Sequence, residues 1–164
     1  MAGDLHFPDG VSRAERYRLL LEYLPSLLEE KSGRTANAAN TVALLMQALR
    51  FHWIGFYFIT PVDGTDELVL GPFQGPVACT RIAYGNGVCG TAWKQGHTML
   101  VPDVDSFPGH IACSSASRSE IVVPVFRGGK MIGVLDIDSS LPDDFTESDR
   151  LLLEETVRLV SPYL

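Results

Sequence analysis

Residues 120–138 read EIVVPVFRGGKMIGVLDID, two apolar runs hinged on Gly128-Gly129. Valine and isoleucine favour extended backbone, and a glycine pair supplies the positive φ that a two-residue hairpin turn needs. The stretch therefore predicts two antiparallel strands, over 120–127 and 130–138. Side chains alternate across a strand, so Leu135 and Ile137 share one face while Asp136 and Asp138 share the other. The two acids stand with α-carbons about 6.5–7 Å apart. A strand that is oily on one side and acidic on the other puts core behind the sheet and a pocket wall in front of it.

Residues 51–60 (FHWIGFYFIT) are aromatic and β-branched and predict a further strand. Ile54, Phe56 and Phe58 fall on one face of it, and Trp53, Gly55 and Tyr57 on the other. Pro61 to Gly64 reads as a turn, followed by short strands over 67–73 and 76–83. Gly85-Asn86-Gly87 opens a brief helix over 88–95, residues 98–102 return to strand, and 103–118 form a long polar loop. At the N-terminal end residues 1–10 read as a flexible arm. Ser12 and Glu15 have capping-box spacing. Leu19, Leu20, Tyr23, Leu24, Leu27 and Leu28 then recur at helical spacing, with Pro25 placed to kink or divide that helix. A second helix over about 35–49 carries a stripe of Ala39, Val42, Ala43 and Met46. Thr146 caps a last helix, with Leu151, Leu152, Glu155, Val157 and Leu159 spread round it. The order α-α-β-β-β-α-β-loop-β-β-α defines an α+β fold. Its sheet is largely antiparallel, with the terminal helices on one face and a ligand pocket on the other, and it forms one domain over 11–164.

Composition excludes several function classes. The chain has 164 residues with 46% apolar and 20% charged side chains, an ordinary globular balance. Its net charge of −7 argues against non-specific binding to nucleic acid or to an anionic membrane, since both need a cationic face. No apolar run approaches the roughly 20 residues that span a bilayer, and the N-terminus lacks the pattern of a signal peptide. Three cysteines are too few for a disulfide scaffold, and a cytoplasmic protein is the expectation.

The cysteines and the acids carry the chemistry. Spacings of 10 and 24 residues between Cys79, Cys89 and Cys113 match neither a zinc knuckle nor a Cys-x-x-Cys motif. Each cysteine alone reads first as a small buried hydrophobe. Cys113 sits in a loop of small residues with His110 near it and Arg118 five positions on, where a thiolate is favoured. Cys79 falls on a strand between apolar neighbours. Cys89 opens the short helix, where free backbone N–H groups stabilise a thiolate, or it only packs there. Glu120, Asp136 and Asp138 converge, and clustered carboxylates call for a cation. The histidines are too scattered for a metal set, so an amine is the expected partner. Trp53 and Tyr57 share a face, either to box a ligand or to pack the core.

Several segments together bear a resemblance. They are Trp53-Ile54-Gly55-Phe56-Tyr57, Leu70-Gly71-Pro72-Phe73-Gln74-Gly75, Ala78-Cys79-Thr80-Arg81-Ile82, Gly87-Val88-Cys89-Gly90-Thr91-Ala92, Gly109-His110-Ile111-Ala112-Cys113, Ser119-Glu120-Ile121-Val122-Val123-Pro124 and Ile132-Gly133-Val134-Leu135-Asp136-Ile137-Asp138-Ser139. In this order they resemble the free methionine-(R)-sulfoxide reductases, a catalytic branch of the GAF-domain fold. The resemblance implies a catalytic Cys113, a resolving Cys79 that forms a disulfide with it, and an auxiliary Cys89. It implies that Glu120, Asp136 and Asp138 bind the substrate and supply a proton, Asp138 serving both tasks, and that Trp53 and Tyr57 wall the substrate. The implied partners are free methionine-(R)-sulfoxide and a thioredoxin-like reductant. Neither an organic cofactor nor a metal is called for. One departure is Ser114, where many members carry an acid after the catalytic cysteine; losing a like charge eases thiolate formation at Cys113.

The competing reading is a non-catalytic GAF module that binds a small ligand or senses oxidants through Cys113. It leaves three cysteines and three clustered acids without a joint purpose. A homodimer is a further expectation, since the leucine-rich first helix would suit one.

Overall fold

The computed structural model describes residues 5–109 and 115–164. Its elements follow the expected order: α1 (Arg13–Leu27), α2 (Gly33–Leu49), β1 (Trp53–Val62), β2 (Thr65–Gln74), β3 (Arg81–Ile82), α3 (Gly87–Gln95), β4 (Met99–Val101), β5 (Ser119–Arg127), β6 (Lys130–Ser139) and α4 (Glu147–Val160). The strands form one sheet in the order β3-β2-β1-β6-β5-β4, with every neighbouring pair antiparallel. Gly128 and Gly129 both take positive φ, at 57° and 79°, and close β5 onto β6 in two residues.

The two faces of the sheet differ as the alternation requires. Ile54, Phe56 and Phe58 of β1 and Leu135 and Ile137 of β6 lie in one core, packed with Leu20, Leu24, Leu45, Leu153 and Val157 of α1, α2 and α4. Trp53 and Tyr57 belong to a second, smaller core with Val88, Cys89 and Ala92 of α3. The three long helices thus cover one face, and α3 with its loops covers the other.

Several local expectations need correction. Pro61 and Val62 stay in β1, and the turn shrinks to Asp63-Gly64, both at positive φ. Pro61 pairs with β2 but lies beyond the β1–β6 ladder, so its missing N–H leaves no bond unmade there. The strand expected over 76–83 survives only as Arg81–Ile82, because Gly75 adopts φ 128° and Pro76 cannot donate to a ladder. Cys79 therefore stands on a loop, not on a strand. Ser12 accepts from Glu15 N, but the Glu15 carboxylate accepts from Arg18 instead of closing a capping box. The complete box belongs to α4, between Thr146 and Asp149.

Pro25 falls in the last turn of α1, which ends two residues later without dividing. The stripe of α2 is rotated from the expected one: Ala39 is exposed, while Asn37, Ala38, Thr41, Leu44, Leu45 and Ala48 are buried with Val42. Asn37 can face inward because its amide donates to the carbonyls of Glu29, Gly33 and Tyr163. Leu20 and Leu24 of α1 are buried in the chain's own core, and Leu21, Leu27 and Leu28 pack against it.

Gly133 marks the tightest point of the sheet. A Cβ there would stand 2.2 Å from the Tyr57 carbonyl oxygen and 3.1 Å from the Phe58 α-carbon. The β1 backbone cannot yield as a side chain would. Gly133→Ala should therefore lower the unfolding free energy by about 3 kcal/mol, read from guanidinium denaturation. A loss below about 1 kcal/mol would show that β1 and β6 part easily.

Candidate active site

The β6 register assembles the site. It places Asp138 opposite Trp53 of β1 and opposite Glu120 of β5, and Asp136 opposite Gly55 and Val122. Three carboxyls and two aromatic rings thereby meet on the face turned toward α3. The cavity between them is lined by Trp53, Tyr57, Glu120, Asp136, Asp138, Ser117 and Cys89, with Val77 and Ala78 of the β2–β3 loop.

The rings are held by a glycine and by their own polar atoms. A Cβ on Gly55 would meet the Trp53 ring at 2.3 Å and the Phe73 Cβ at 2.6 Å, so the indole lies over the glycine. Trp53 stacks between Phe73 and Tyr57, at centroid distances of 5.4 and 6.0 Å. Trp53 Nε1 donates to the Pro76 carbonyl at 3.0 Å, and the Tyr57 hydroxyl donates to the Cys79 carbonyl at 2.9 Å. The aromatic wall therefore also ties down the loop that carries Cys79. The two rings both pack in the smaller core and line the cavity, and the tether was not legible in the sequence because a backbone acceptor leaves no mark in residue type.

Burial dominates the electrostatics. Glu120 and Asp136 are 6% and 7% exposed. Removal from water pushes both well above the ordinary carboxyl range, and the other acids push further in the same direction. Asp136 is partly relieved by hydrogen bonds from the Cys89 thiol and from Glu120, yet its Oδ1 is buried without a partner. Asp138 is half-buried. Its carboxyl is raised by desolvation to about 6, against the lowering effects of a Ser117 hydrogen bond and of His52. The Cys89 thiol is pushed well up, first by burial and then by Asp136 and Glu120. The thiolate that a helix start favours is thus outweighed at Cys89, which remains a neutral buried thiol.

The structure brings together Trp53, Tyr57, Cys89, Glu120, Asp136 and Asp138. Cys79 is disulfide-bonded. Cys113, with His110 and Ser114, lies outside the described residues, and Cys89 is the free cysteine among those described. Ser117 and His52, which steady Asp138, were not singled out for that task by the sequence. A serine in a polar loop and a lone histidine carry no spacing signal that could reveal it. Sγ of Cys89 and one oxygen each of Glu120 and Asp136 lie within 4.8 Å of one another.

A sheet of this order with a pocket between it and a short helix defines a GAF domain, and the GAF-domain profile matches residues 34–164. A solved free methionine-R-sulfoxide reductase from Neisseria meningitidis, in complex with its substrate, superposes with a TM-score of 0.91 at 49% identity over 98% of this chain and 94% of that one. The free methionine-R-sulfoxide reductase of Escherichia coli is 43% identical over 90% of this chain and 87% of its own length. That of Saccharomyces cerevisiae is 37% identical over 98% and 92%. This chain belongs to the free methionine-R-sulfoxide reductase family, within the GAF fold. Among the described residues no helix is long and apolar enough to cross a membrane.

The raised carboxyls make stability depend on pH. A carboxyl with a folded pKa above its unfolded value binds its proton more tightly when folded, so its contribution is complete below about pH 4 and is lost as pH rises. For Asp138, raised from 3.8 to about 6, the loss falls between those values. It amounts to about 2 kcal/mol after allowance for partial exposure. Asp138→Asn should flatten the decline in unfolding free energy between pH 4 and 7 by about that amount, measured by urea denaturation. A decline unchanged in the variant would show that Asp138 titrates normally.

Proposed function

We propose that the chain reduces free L-methionine-(R)-sulfoxide to methionine, with Cys113 as nucleophile and Cys79 as resolving thiol. The observation that carries this reading is the buried set of Glu120, Asp136 and Asp138 facing stacked Trp53 and Tyr57 in one cavity. Free methionine sulfoxide offers an ammonium to such carboxylates, whereas a peptide-bound residue offers a neutral amide. With a pKa of about 6, Asp138 is mostly ionised at pH 7 and suits the ammonium. The Glu120–Asp136 pair, both raised further by burial, retains a proton and suits the sulfoxide oxygen.

A sulfoxide sulfur becomes electrophilic when its oxygen takes a proton. The Cys113 thiolate then attacks sulfur, oxygen passes to Cys113 as a sulfenic acid, and methionine leaves. The Cys79 thiol condenses with that sulfenic acid, expelling water and forming the disulfide. An external dithiol of the thioredoxin type reduces it and becomes oxidised. The half-buried loop position of Cys79 supports the resolving role, since such a residue can approach a second segment. Cys89 suits resolution less well: a fully buried neutral thiol bonded to Asp136 is a poor nucleophile.

The deciding assay compares free methionine-(R)-sulfoxide, its S epimer and the N-acetylated R compound with a dithiol reductant. The R form should be consumed at least a hundredfold faster than the N-acetylated compound, since an unpaired buried carboxylate costs about 3 kcal/mol, and faster than the S epimer, which cannot aim its oxygen at the acid and its sulfur at Cys113 together. Comparable rates on the acetylated compound would refute ammonium binding by the acids. Binding without consumption of any sulfoxide would favour a ligand-sensing module instead.

The cysteine roles separate in a second experiment. Cys113→Ser should form no methionine. Cys79→Ser should form about one methionine per chain in a single turnover and then stall with thioredoxin as reductant. Full thioredoxin-dependent turnover in Cys79→Ser would transfer the resolving role to Cys89.

A further inference from the structure

We propose that Cys89 Sγ, with one carboxylate oxygen each from Glu120 and Asp136, forms a site for a thiophilic divalent cation of the zinc class, and that an ion bound there closes the substrate pocket. The metal site rests on the donor geometry alone, whereas its competition with substrate rests on the proposed function. The three donor atoms lie within 4.8 Å of one another. They are held by α3, β5 and β6, three different elements of the framework. Metal arms of about 2.3 Å to sulfur and about 2.0 Å to oxygen bring tetrahedral ligand atoms to about 3.3–3.5 Å, within reach of small side-chain rotations.

Two further observations point to a cation. Asp136 is buried, and its Oδ1 lacks a hydrogen-bond partner, so one of the three ligating residues carries a bare buried acceptor. Among the described residues that line the cavity, none is lysine or arginine. An ammonium would satisfy the carboxylates, but a neutral thiol adds nothing to ammonium binding. A metal makes use of all three groups. The sulfur selects the ion, since thiolate favours zinc and its soft relatives over magnesium or calcium. Binding is a proton exchange without redox change: the ion enters, and the thiol proton and any proton shared by Glu120 and Asp136 leave to solvent. Because Glu120 and Asp136 also line the cavity, the ion and the substrate compete for one space.

The test uses cadmium, whose bond to a thiolate gives an ultraviolet charge-transfer band. In the full chain carrying Cys79→Ser and Cys113→Ser, Cys89 is the remaining cysteine of the three. Cadmium should produce the band at one equivalent per chain, zinc should displace it, and excess methionine should suppress it. Adding Cys89→Ala should abolish the band, and Glu120→Gln should weaken cadmium binding at least about tenfold. If the double variant does not fold, the oxidised wild-type chain, in which Cys79 is bonded and Cys89 free, takes its place. The proposal is overturned if no band appears, if the band survives Cys89→Ala, if Glu120→Gln leaves the affinity unchanged, or if excess methionine leaves the band in place.

Discussion

The antiparallel pairing of β6 with both of its neighbours is the constraint on which the site depends. Asp138 meets Trp53 on one side and Glu120 on the other, and Asp136 meets Gly55 and Val122. A slip of one residue in either ladder would turn the acids into the oily core and the leucines into the pocket. The register is held by what lies behind it. Ile54, Phe56, Phe58, Leu135 and Ile137 pack against three helices, and each buried side chain of this size contributes about 1.5–3 kcal/mol. That apolar face offsets the cost of holding carboxyls out of water on the opposite face.

Close packing of backbone and ring then shapes the pocket. Gly133 lets β6 approach the Tyr57 carbonyl, and Gly55 leaves room for the Trp53 indole. The rings extend the influence of the sheet beyond its edge: through Pro76 and Cys79 they help to fix the β2–β3 loop. A ligand that stacks on these rings also touches the residues that set the position of Cys79. Two hydrogen bonds thus link the aromatic side of the pocket to the loop that carries Cys79.

Cys89 shows how strongly environment governs cysteine chemistry. Its place in the first turn of α3 favours a thiolate, while burial beside Asp136 and Glu120 favours the thiol. Burial prevails, because a helix-end dipole is worth at most about 2 kcal/mol and removal of a charge from water costs more. The same surroundings that make it a weak nucleophile make it a suitable ligand once a metal ion supplies positive charge.

Local pattern was enough for the order of elements, the hairpin at Gly128-Gly129 and the division of faces in β1 and β6. Each of these rests on period-two alternation or turn chemistry within a few residues. Motif order carried the family resemblance, and with it the acids and aromatics of the pocket. The inward turn of Asn37 and the tether from Tyr57 to Cys79 were not legible, since each depends on a partner far along the chain. The protonation of the acids belongs with them. Residue type states that a group can carry charge, but the free energy of carrying it is set by neighbours that only folding brings together.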